Sequence, residues 1–265
     1  MNGKLLRTIA LLLSLVLSSF VLFSCSGETA EKDDGTGSAS DTQEDTADVE
    51  TEKPVDTTPI AEAEVGSVIS FGSYEQDNNT ENGKEPLLWQ VLAKEDGKLL
   101  LITRDVIDSR RFDNPADCQY KWSTSELGGY LNGEFFDTVF SEAEKSEILD
   151  TTLPVAVPSV ESVSTPMDEE TVCKVFILDE EEVKTYFPTD ADRIANATAY
   201  ATANGAFRGE FAEEDDTACW WWTRSIGYRN HKRVPILEDG SVREIGIYYF
   251  FVHGGVRPAV WISVN

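Results

Sequence analysis

One compositional boundary limits what this chain can fold into. Residues 26–64 hold 13 Asp or Glu, two Lys and no aromatic residue, whereas all six Trp fall between Trp89 and Trp261. A segment so acidic and so poor in large apolar side chains cannot bury enough surface to offset the entropy of ordering its backbone. It reads as a disordered, self-repelling tether. The remaining 201 residues, 65–265, suffice for a single domain with a sizeable core.

Ahead of the tether, Lys4 and Arg7 precede an apolar run from Ile9 to Phe23 that ends at Ser24-Cys25. Basic start, apolar centre and small residues at the end are the three parts of an export signal. The run is shorter than the roughly 20 residues that cross a bilayer. Leu22-Phe23-Ser24-Cys25 resembles the lipobox of bacterial lipoproteins, with Phe23 bulkier than the small residue usual there. The resemblance implies cleavage after residue 24, acylation of Cys25 and attachment to a membrane through its lipid. The expected division is therefore a signal peptide over 1–24, a lipidated cysteine and acidic tether over 25–64, and one globular domain over 65–265.

That domain carries 35 acidic and 18 basic residues, a net charge of −17. Nucleic acid and anionic lipid surfaces are repelled, which excludes nucleic acid as a partner. Cys118, Cys173 and Cys219 show neither CxxC nor Cys/His metal spacing, leaving one disulfide with a spare thiol or three free thiols open.

Strand patterns cover residues 65–74 and 87–103, the latter a hairpin turning at Glu95-Asp96-Gly97-Lys98. Ser123-x-x-Glu126 and Ser141-x-x-Glu144 match capping boxes and predict two consecutive helices, the first weakened by Gly128, Gly129 and Gly133. Residues 174–178 read as a short strand, residues 179–187 as a helix with an acidic first turn, and residues 195–206 as a helix ending at Gly205. From Ala218 the pattern returns to strands. The expected fold is α+β, a mainly antiparallel sheet with helices in the first half and the first and last strands paired.

The blocks FGSYEQDNNTENGKEPLLWQVL, WSTSELGGYLNGEFFDTVFSEAEK, KVFILDEEEVKTYF, WWWTRSIG and GGVRPAVWI resemble, in order and spacing and over nearly all of residues 65–265, a bacterial domain-of-unknown-function family, number 6273. Its C-terminal half is similar to the C-type-lectin-like fold shared with formylglycine-generating proteins. That similarity implies paired terminal strands, two helices and a loop-rich region that presents a ligand site. Two departures limit it: no cysteine follows Cys219 to form the late catalytic pair of the sulfatase modifiers, and the Glu-Pro-Asn or Gln-Pro-Asp calcium-sugar motif is missing.

In a strand through Trp220, Trp221 and Trp222, the first and third share a face and Trp221 looks the other way. Either all three are core, or one face offers a platform for a sugar ring or a partner's side chain. Trp221, Arg224, Tyr228 and His231 are the candidate ligand contacts, while Trp89, Trp122, Arg257 and Trp261 are read as structural. Arg257 is expected to bind carbonyls or carboxylates, held extended by Pro258. No triad, zinc motif or nucleophile elbow surrounds His231 or His253, so no catalytic residue is assigned. The loops 77–83 and 209–216 are rich in oxygen ligands without EF-hand spacing, and calcium is the one cofactor they allow.

The function expected is display of a binding domain for an extracellular protein or glycan. An envelope-polymer hydrolase with an Asp/Glu acid–base pair is the enzymatic alternative. A non-catalytic scaffold with a flat apolar patch is the third.

Overall fold

The computed structural model describes residues 56–116, 118–156, 158, 160, 167–209 and 216–264. The export signal, Cys25, the tether as far as residue 55 and Asp215 lie outside the described residues. Everything described belongs to one unit, Lys53–Asn265. Among the described residues no helix is long and apolar enough to cross a membrane.

The strands begin with β1 (Val68–Tyr74), β2 (Glu85–Glu95), β3 (Lys98–Thr103), β4 (Asp108–Ser109), β5 (Thr151–Leu153), β6 (Thr171–Cys173) and β7 (Val175–Phe176). They continue with β8 (Trp221–Ile226), β9 (Lys232–Ile236), β10 (Ile247–Tyr248), β11 (Gly255–Val256) and β12 (Ala259–Ser263). The helices are α1 (Glu126–Tyr130), α2 (Phe136–Val139), α3 (Glu142–Glu147), α4 (Glu180–Tyr186), α5 (Asp190–Arg193) and α6 (Ala199–Ala203). One sheet runs β1-β2-β3-β12-β7 and a second β10-β9-β8-β11-β4, with β5-β6 as a separate ribbon. Pairing is antiparallel except between β11 and β8. The fold is mixed α+β with sheets rich in antiparallel pairing.

The β2–β3 hairpin turns where expected, with Glu95 opposite Lys98. Asp96 (φ 36°) and Gly97 (φ 78°) both take left-handed backbone, as a two-residue hairpin turn requires. β12 does not pair with β1, contrary to the expectation for the terminal strands. It lies between β3 and β7. β3 is buried along nearly its whole length and so needs strand neighbours on both sides. β1 is suited to the edge, because its register slips between Ser70 and Ser73, around the left-handed Gly72. Order also begins before Val65: the Thr58 amide donates to the Val68 carbonyl at 2.8 Å, and Ala63 is fully buried.

Both capping boxes near the helices involve specific atoms. Ser141 and Glu144 form theirs as predicted, and the other Glu144 oxygen accepts from the Gly72 amide at 2.7 Å, pinning the β1 irregularity. The first helix is capped by Ser125 rather than Ser123. Ser125 Oγ accepts from Gly128 N at 3.0 Å, while the Ser123 hydroxyl donates to Glu169. Beyond α1 the chain widens into a π-helical turn over Leu131–Phe135 before α2. α4 has the acidic first turn that the sequence indicated, and Asp179 stands just before it as the N-cap, forming with Glu182 a capping box that was not predicted. α6 is shorter than expected, because Ala195 and Ala197 use their backbone groups in bonds to Cys219 and Thr217. The four-residue α5 was not anticipated, being too short for a periodic signal.

Trp89, Trp221 and Trp222 are fully buried, each with its indole N–H bonded to a main-chain carbonyl: Phe71, Arg193 and Arg110 respectively. Trp122 is buried and Trp261 half-buried beneath the Lys98 ammonium. Arg257 lies between the rings of Phe187 and Trp221, 5.1 Å from each centroid, and donates to the Thr103 and Arg104 carbonyls. Cys118, Cys173 and Cys219 are free thiols, and burial pushes Cys118 up to about 11 and Cys219 up to about 12. Neither is poised as a nucleophile at neutral pH.

Candidate functional site

The tryptophan run shows the alternation the sequence predicts. Trp220 and Trp222 share a face, their rings edge-on at 4.8 Å, and Trp221 points the other way onto Arg257. Neither face reaches solvent. Phe112 covers Trp222, and Arg193 and Phe187 close the side of Trp221 and its neighbour Arg257. Trp221 (0% exposed) and Arg224 (2%) are therefore corrected from ligand contacts to core residues. Arg224 bonds Asp179 at 2.8 Å and Glu182 at 3.0 Å, fastening β8 to the start of α4.

The other two candidates sit beyond the end of β8, where the chain turns back into β9. Tyr228 is exposed and His231 half-buried. The Tyr228 amide donates to the Ile245 carbonyl and the Tyr249 amide to the His231 carbonyl, which brings the β10 segment alongside. The result is a ladder of rings. His231 stacks on Tyr248 (5.5 Å, 13°), and Tyr248 stacks on Phe250 (5.1 Å, 21°), with Tyr249 edge-on beneath Phe250. Lys232 Nζ lies 5.2 Å from the Tyr248 centroid. Tyr248 is 44% exposed, Phe250 40% and Phe251 49%, with Ile245 and Val252 exposed beside them. Exposed apolar side chains gathered in this way are a candidate interaction surface.

Tyr248, Phe250 and Phe251 were missed because IYYFFV reads as a buried strand. Gly246 (φ 70°) and the two-residue length of β10 instead leave the run at a sheet edge. A usable signal was present: residues 217–237 and 245–264 contain no Asp or Glu in a domain of net charge −17.

A buried polar network holds the base of this loop. Asp108, 1% exposed, accepts from Tyr74 Oη, Arg110 Nε, Asn204 Nδ2 and the Ser109 amide. The Arg110 amide in turn donates to the Gly254 carbonyl, and its carbonyl receives the Trp222 indole. Burial and the neighbouring Asp108 raise Tyr74, and burial pushes Tyr130 up to about 12, so both phenols stay protonated as donors. On the far side of the loop, Thr202, Phe207, Arg208 and His253 line a cleft of about 390 Å³. His253 Nδ1 is 2.9 Å from the Gly205 carbonyl, which can only accept, so Nδ1 carries the proton of this bond.

Burial and the cations Arg229 and Lys232 hold the His231 imidazole below the ordinary histidine value. The folded state thus prefers the neutral ring. Its contribution to stability is complete above the unfolded value near 6.5 and is lost as pH falls through the lowered folded value. Histidine NMR titration is expected to place His231 below a model peptide, and Lys232→Gln is expected to move it back up.

Glu75, Asp77 and Glu85 bring carboxylate oxygens within 4.8 Å of one another. Their oxygens face the loop itself: Asp77 accepts from Asn79 N and Asn82 Nδ2, Glu85 from Gln76 N, and Glu75 from Asn79 N. Burial and the nearby Glu85 raise the Glu75 carboxyl. These bonds are turn chemistry, and the same three carboxylates are close enough together to hold a metal ion.

No curated protein and no solved structure matches this chain. The family signature described as Domain of unknown function (DUF6273) matches residues 96–264. It starts in the β2–β3 turn, so β1 and β2 precede it, a narrower extent than the resemblance over 65–265. With well over half its length inside that match, the chain belongs to the family Domain of unknown function (DUF6273).

Proposed function

We propose that the chain is a membrane-anchored, extracytoplasmic binding protein, held by lipid on Cys25 and displaying its C-terminal half to an extracellular protein or glycan. The observation that carries the reading is the solvent-facing ladder His231-Tyr248-Phe250, an apolar surface mounted on a rigid sheet in an otherwise acidic domain. A C-type-lectin-like architecture belongs to the same proposal. The mixed α+β make-up with antiparallel-rich sheets agrees with it, whereas β12 lying beside β3 rather than β1 departs from the paired terminal strands it implies. The hydrolase alternative draws no support from the cleft, which no carboxylate lines among the described residues.

The anchor is tested by metabolic labelling with a radioactive fatty acid. Label is expected in the parent chain, and Cys25→Ala is expected to abolish it and release the protein from membranes. Binding is tested by presenting the full chain, in zwitterionic lipid nanodiscs, to arrays of wall polymers, glycans and displayed peptides. Retention of none of them removes the reading.

A further inference from the structure

We infer that the surface of His231, Lys232, Tyr248 and Phe250 receives an acidic peptide segment bearing apolar side chains, supplied by a partner protein. The inference deepens the binding reading and rests on it.

Charge names the ligand's sign. Most solvent-accessible cations of this domain are already paired with carboxylates, as in Lys94–Glu64, Arg111–Glu126 and Lys184–Glu180. Among the described residues, Lys84, Arg229, Lys232 and Arg243 form no ion pair; of these, Arg229 lies over the ring of Tyr228 and Lys232 over that of Tyr248. A domain of net charge −17 that keeps two cations without an ion pair over the exposed rings of this surface is complementary to an anionic ligand there.

Ring geometry separates a peptide from a sugar. A pyranose stacks on an open aromatic face, and His231, Phe250 and the Lys232 ammonium already lie against those of Tyr248. The side chains of Ile245, Phe251 and Val252 remain exposed beside the ladder, and these fit the side chains of a peptide. β10 is also the outermost strand of its sheet, with a neighbour on one side only among the described residues. An extended segment can align along such an edge, with alternate side chains toward the rings and the cations.

The test selects short random peptides from a displayed library on the full chain in zwitterionic nanodiscs, then measures one enriched peptide by fluorescence anisotropy. Enriched sequences are expected to combine Asp or Glu with large apolar residues. Affinity is expected to fall about tenfold with Lys232→Glu, less with Lys232→Gln, and to weaken as salt is raised. Circular dichroism confirms that each variant is folded. Basic or neutral enriched sequences, or affinity indifferent to Lys232, overturn the inference. Polygalacturonate serves as the anionic glycan probe: if it binds, depends on Tyr248 and no peptide is enriched, the peptide claim falls and the binding reading stands. Self-association lost in Tyr248→Ser makes the occupant a second copy and also overturns the claim. If neither Tyr248→Ser nor Lys232→Glu alters binding of any probe, both readings fall.

Discussion

Gly254→Ala is expected to lower the unfolding free energy by on the order of 3 kcal/mol, although it adds one methyl group. A Cβ at Gly254 would occupy the space of the Trp222 indole around Nε1, the atom that donates to the Arg110 carbonyl at 2.8 Å. Trp222 cannot swing aside, because Trp220 and Phe112 pack edge-on against it and it is fully buried. The Gly254 carbonyl also accepts from the Arg110 amide, so moving the backbone breaks a second bond. A loss of this size in a domain of this length corresponds to a fall in Tm of about 6 to 12 °C, readable by circular dichroism. Gly129→Ala is the control: nothing lies within 4 Å of its added Cβ and the site is helical, so Tm is expected to hold or rise slightly. Equal melting of the two variants would remove the claim that Gly254 and Trp222 together fix the base of the binding loop.

The second large effect is on binding. Replacing Tyr248 and Phe250 together with serine is expected to weaken ligand affinity about a hundredfold, the size typical of losing a central aromatic anchor pair. The rings are about two-fifths exposed, and their mutual stacking is worth only about 1 kcal/mol. Folding stability should therefore change little. That separation of affinity from stability distinguishes a binding surface from a satellite of the core. His231→Ala removes one end of the ladder and should give an intermediate loss.

How much of this was legible depends on whether the determinant is local. The Glu95–Lys98 hairpin and the Ser141 capping box depend on residues within a few positions and formed as the sequence indicates, whereas the predicted Ser123 box gave way to a Ser125 cap two residues on. Which strand lies next to β12 is non-local, and edge-compatible β1 reads much like any other apolar run. The tryptophans show the same limit. Their alternation follows from strand geometry, but burial of both faces depends on Phe112, Phe187 and Arg193, which lie far away in sequence. The candidate site was half visible for this reason. Tyr228 and His231 lie in a polar turn that announces itself, whereas Tyr248 and Phe250 sit in an apolar run whose exposure follows from the absence of a covering strand beyond β10 among the described residues. Charge distribution, rather than hydrophobic pattern, was the overlooked signal: the acid-free runs contain the two segments that meet at the ladder.

The central claim, that the His231-Tyr248-Phe250 surface is where this chain binds, is tested most directly by one comparison. The affinity of the full chain for a ligand it retains on the array is measured beside that of the Tyr248→Ser and Phe250→Ser double variant, at matched folded fraction. A loss of about a hundredfold with Tm lowered by no more than about 4 °C is the predicted result. Equal affinity in the two proteins would contradict it and move the site elsewhere on the domain.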